Sequence, residues 1–145
     1  MEEHVKPAVN TLLWSIKFTD RHFPVLDAIE RAGADYIELP VIVPQTETEF
    51  LGIRKAVCDA GLAVASVVTV MSADTDPGRP ETMQAAIDHL KKAADALGIL
   101  TDGGPGIVCG PIVGQLGERP TTAPSPAQMH TRWCRAADVL VEAAK

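Results

Sequence analysis

The chain has 145 residues, 46% of them hydrophobic, with a net charge of −6, which suits one ordinary core in a single domain over residues 1–145. An acidic balance without a basic stripe excludes nucleic acid as the expected partner, and no apolar stretch reaches the ~20 residues of a membrane span, so no membrane partner is expected either. Met1-Glu2-Glu3-His4 is acidic where a signal peptide is basic and then apolar, so a cytoplasmic protein is expected.

The predicted elements alternate. A first strand reads Ala8 to Leu13 and is followed by Trp14; Leu26, Ile29 and Ala32 then give a helix its inner face, with His22 at its head. Ala32-Gly33 closes that helix with the glycine a left-handed C-cap favours, and Asp35-Tyr36-Ile37-Glu38-Leu39 follows as a strand. Thr46 and Glu49 form a capping box before Phe50, Ile53, Val57 and Ala60. Gly61 ends this second helix, and Leu62 to Val70 reads as a third strand, a continuous apolar run suited to a parallel sheet covered on both faces.

The third helix carries Met83, Ala86, Ile87, Leu90, Ala93, Ala94 and Leu97 on one face, and Leu97-Gly98 is its predicted end. Gly103-Gly104-Pro105-Gly106 precedes a strand, not a helix N-terminus, so it reads as a connector and not a phosphate loop. Gly106 to Cys109 is the fourth strand. Ser125-Pro126-Ala127-Gln128 opens a fourth helix with inner residues Met129, Trp133, Ala136, Ala137, Leu140, Val141 and Ala144.

Four strand–helix units imply parallel pairing through right-handed crossovers, in either a barrel or an open doubly wound sheet. A closed (β/α)8 barrel needs about 250 residues, so the expected fold is half of one, four parallel β/α units. Half a barrel leaves free edges and an apolar sheet face, and self-association or a missing C-terminal half is the expected partner.

Chemistry is sparse. His4, His22, His89 and His130 are scattered and read as structural or solvated, and Cys58, Cys109 and Cys134 as buried thiols, with no pair at ligand spacing and no disulfide or zinc frame. Both architectures build sites at strand C-terminal ends, which selects Trp14, Glu38, Thr69 and Gly110. Glu38 alternates with Ile37 and Leu39 and needs a partner or a polar cavity to offset desolvation, an arginine salt bridge being the plain alternative. Trp14 suits the apolar wall of a sugar pocket or ordinary packing, and Gly110 permits a tight turn.

Asn10-Thr11-Leu12-Leu13-Trp14, Ala32 to Glu38, Ala94 to Gly98, Val108-Cys109-Gly110-Pro111 with Gly117 beyond, and Arg132 to Ala137 together resemble the sugar phosphate isomerase/epimerase family. This is the xylose isomerase-like TIM-barrel group, and the closest likeness is to ketose 3-epimerases of the D-tagatose and D-psicose type. The resemblance implies a sugar or sugar phosphate substrate. It also implies a divalent manganese, magnesium or cobalt ion held by two glutamates, an aspartate and a histidine from the second half of a barrel. One carboxylate would take a proton from C3 of a ketose and another return one on the opposite face, through a metal-stabilised cis-enediolate. None of the metal or acid–base positions falls within the 145 residues. Trp14, Glu38, Thr69 and Gly110 carry over only as substrate-binding residues at the barrel mouth, with no catalytic residue among them. Two other readings stand beside it: a non-catalytic half-barrel that binds sugar or assembles, and a small flavodoxin-like sheet of unrelated activity.

Overall fold

The computed structural model describes residues 6–114 and 124–145. His4 and Gly117 lie outside them. The elements run β1 Ala8–Asn10, α1 Pro24–Arg31, β2 Tyr36–Pro40, α2 Glu47–Asp59, β3 Ala63–Val68, α3 Met83–Leu100, β4 Ile107–Cys109 and α4 Pro126–Ala143. The four parallel strands pair in the order β1-β2-β3-β4, with Asn10 opposite Glu38 and Glu38 opposite Ser66. Sequential order is that of a barrel wall. A flavodoxin-like sheet reverses its winding at a switch point, so this order overturns the doubly wound alternative.

The chain forms two compact units, one from residues up to Val68 with Asp95–Val108, the other from Thr69–Ala94 with Cys109–Lys145. In the first, Ile37, Leu39, Val64 and Val67 of the sheet pack with Leu26 and Ile29 of α1, Phe50, Ile53 and Val57 of α2, and Ala96, Leu97 and Leu100 of α3. Each large side chain buried there contributes roughly 1.5–3 kcal/mol. The second unit has its own small core of Met71, Ala86, Ile87, Leu90 and Val139.

The capping boxes stand as read: the Glu49 amide donates to Thr46 Oγ1 (3.2 Å), the Gln128 amide to Ser125 Oγ (3.3 Å), and each side chain reaches back to its cap's amide. Gly33 and Gly61 have φ of +85° and +76°, the left-handed caps the sequence suggested. Other expectations change. β1 is three residues long because the Asn10 side chain accepts the Leu12 amide (2.8 Å) and turns Thr11–Leu13 into a 3₁₀ turn. α3 does not stop at Gly98 but continues to Leu100, since Ala96, Leu97 and Leu100 bury their side chains there; the left-handed residues are Asp102 (φ +56°) and Gly103 (φ +74°).

α4 presents only part of the face expected: Ala136 is buried as read and Met129 is half-buried. Ala136 and Val139 are its buried residues, while Trp133, Ala137, Leu140, Val141 and Ala144 are exposed. The helix carries two apolar stripes, and the one with the smaller side chains fits the close approach within its unit. Ala32 and Ala94 are likewise exposed. The thiols, expected to be buried, are exposed at Cys58 and Cys134 and half-buried at Cys109. Among the described residues no helix is long and apolar enough to cross a membrane.

Candidate functional site

In the first unit the site grows from one register. Strand alternation sends Ile37 and Leu39 into the helix-covered core, which turns Glu38 to the opposite face of the sheet, half-buried. Asn10 and Ser66 occupy the neighbouring strands at the same level. Between Ile37 and Glu38 the partner on β3 jumps from Val64 to Ser66, so Ala65 is an extra residue, a β-bulge. Without the bulge an alanine would face Glu38; with it, a hydroxyl does.

The carboxylate is held from both sides. Asn10 Nδ2 donates to Glu38 Oε1 (2.5 Å) and Ser66 Oγ to Oε2 (2.7 Å), while Thr11 Oγ1 donates to the Glu38 carbonyl (2.9 Å). Two side-chain donors on one carboxylate fix its orientation on the sheet face. Trp14 follows the 3₁₀ turn directly, its amide donating to the Thr11 carbonyl (3.0 Å), and is 44% exposed.

In the second unit Thr69 and Gly110 are in contact. A Cβ on Gly110 would lie 2.0 Å from the Thr69 carbonyl oxygen, and its φ of +127° is closed to other residues, so the backbone after β4 can run past Thr69 only as glycine. Thr69 itself is fully buried, and its hydroxyl meets His89 Nε2 at 2.7 Å. His89, read from the sequence as structural or solvated, is thus part of a part-buried polar contact. Burial holds its ring below the usual histidine range and Lys92 adds to this, while a hydrogen bond with the Val70 backbone opposes them.

A further cluster escaped sequence reading. Asp76, in the stretch between β3 and α3, is fully buried; Arg132 Nη2 (2.9 Å) and Arg79 Nε (3.1 Å) reach its Oδ2, and the Gly78 amide donates to Oδ1 (2.8 Å). Arg135 donates to the Gly78 carbonyl (3.2 Å). Only a loop aspartate followed by proline and glycine marks the place in sequence, and its main cation arrives 56 positions later. Grooves lined by Phe23, Asp27 and Asp59, and by Gln45, Glu49 and Ile53, run along α1 and α2 and hold none of Trp14, Glu38, Thr69 and Gly110.

Four parallel strands in sequential order, each followed by a helix, define the chain as half of a β/α barrel. Known structures of that fold include a protein from Anabaena variabilis described as a sugar phosphate isomerase/epimerase, with a TM-score of 0.75 and 21% identity over 97% of this chain. A D-psicose 3-epimerase from Clostridium cellulolyticum, solved with D-tagatose, gives 0.73 and 14% over 97%. A D-allulose 3-epimerase from Methylomonas sp., solved with D-allulose, gives 0.69 and 24% over 93%. The chain spans only 50%, 49% and 47% of those chains respectively. No protein-family model and no curated protein matches the sequence.

Among the described residues no three histidine, cysteine, aspartate or glutamate side chains come together.

Proposed function

We propose that the chain is the N-terminal half of a metal-dependent sugar or sugar phosphate isomerase/epimerase of the cytoplasm, acting on a ketose at C3. The observation that carries this reading is the match of nearly the whole chain to about half of each epimerase structure. In this reading Glu38 accepts sugar hydroxyl groups and Trp14 covers an apolar face of the ring. Thr69 and Gly110 fix the backbone at their strand ends, Gly110 by having no side chain. The ion and the two acid–base carboxylates belong to a C-terminal half, and the chain alone is inactive.

The test is to read the coding sequence past Lys145, express the whole product with manganese, and follow deuterium exchange at C3 of D-fructose, D-psicose and D-tagatose. Exchange with epimer formation, lost when residues after Lys145 are removed, supports the reading. A whole product that exchanges no C3 proton overturns it. Sugar binding by such a product without metal dependence, abolished by Trp14→Ala, would assign a binding role instead.

A further inference from the structure

Away from the sheet, α4 carries two side chains that the sequence reading kept apart. His130 and Cys134 are four residues apart, one turn along the same helix row, and both are exposed. Cys134 Sγ lies 3.6 Å from His130 Nε2. A tetrahedral zinc ion with bonds of about 2.3 Å to sulfur and 2.0–2.1 Å to nitrogen sets these two atoms about 3.5–3.6 Å apart. The contact is a thiol–imidazole hydrogen bond, and its length is also the separation that the ion requires.

We infer that His130 and Cys134 form a two-ligand clamp for a soft divalent cation of the zinc class. Thiolate and imidazole are the ligand pair that such ions prefer over carboxylate-binding magnesium or calcium. An 18-residue helix carries both groups one turn apart. On metal uptake the Cys134 S–H bond breaks, its proton leaves to solvent, and the sulfur lone pair bonds the ion, while neutral His130 gives the Nε2 lone pair. Among the described residues no third ligand joins them, so the remaining positions are open to water. The clamp is independent of the proposed epimerase reading and of the ion that reading places in a C-terminal half.

Cobalt(II), titrated into the reduced chain, is the probe. Expected is a saturable thiolate-to-cobalt charge-transfer band with tetrahedral d–d bands. Cys134→Ser abolishes it, His130→Gln weakens it at least tenfold, Cys58→Ser leaves it unchanged, and zinc displaces it. Circular dichroism on each variant verifies that α4 is still formed; both substituted positions are exposed. Acidification releases the metal, since protons compete for both ligands. Absence of the band at millimolar cobalt, or equal affinity in His130→Gln, overturns the proposal and leaves a plain thiol–imidazole contact.

Discussion

Glu38 announces itself in the sequence because a carboxylate inside an apolar strand must be compensated. Its partners do not, because the bulge at Ala65 decides that Ser66 and not an alanine faces it, and residue periodicity carries no sign of one inserted residue. His89 was hidden for a related reason: its spacing on α3 places it at the boundary of the polar face, and only the contact with buried Thr69 shows that it is half inside. That contact has a measurable consequence. A histidine whose ionisation is suppressed in the folded state binds fewer protons there than in the unfolded chain, so stability rises with pH wherever the two differ. The contribution is complete above the ordinary histidine value of about 6.5 and is lost as pH falls from there toward the lowered folded-state value. Chemical denaturation between roughly pH 7.5 and pH 5 should show this loss, and His89→Gln should flatten it. An unchanged slope in the variant would assign the acid sensitivity elsewhere.

Helices were more legible than strands because their starts are written in local chemistry. Thr46 with Glu49 and Ser125 with Gln128 are complete hydrogen-bonding devices within four residues, needing no tertiary context. Ends and faces depend on packing. α3 reads as stopping at Gly98, yet burial of Ala96, Leu97 and Leu100 carries it on to the left-handed pair Asp102 and Gly103. Two substitutions locate that end. Gly98→Ala, in a helix interior with nothing within 4 Å of the new Cβ, should stabilise the chain by about 0.5–1 kcal/mol. Gly103→Ala, equally unobstructed but at φ +74°, should destabilise it by about 1 kcal/mol. Denaturation midpoints of the pair give the answer, and a reversed order would return the cap to Gly98. α4 was misread because both its stripes are apolar, and hydrophobicity alone cannot say which one meets the core.

For the molecule as a whole, the sheet ends at β1 and β4, and apolar side chains stand in solvent on each unit. Leu13 and Ile107 are 78% and 64% exposed in the first; Trp133 and Val141 are 58% and 63% exposed in the second. Exposed strand edges and exposed apolar side chains favour association, so the chain expressed alone should form dimers or larger species. Light scattering at micromolar concentration tests this, and a monodisperse monomer would show that these surfaces are tolerated. The repeat of strand and helix, and with it the half barrel, was readable from end to end. The buried Asp76 cluster was not, because it joins residues 56 positions apart. That separation also sets a timetable. A ribosome adding about 5–20 residues per second needs roughly 3–11 s to go from Asp76 to Arg132. During synthesis the carboxylate therefore waits with only Arg79 at hand, and the segment after β3 acquires its second guanidinium only once α4 has emerged.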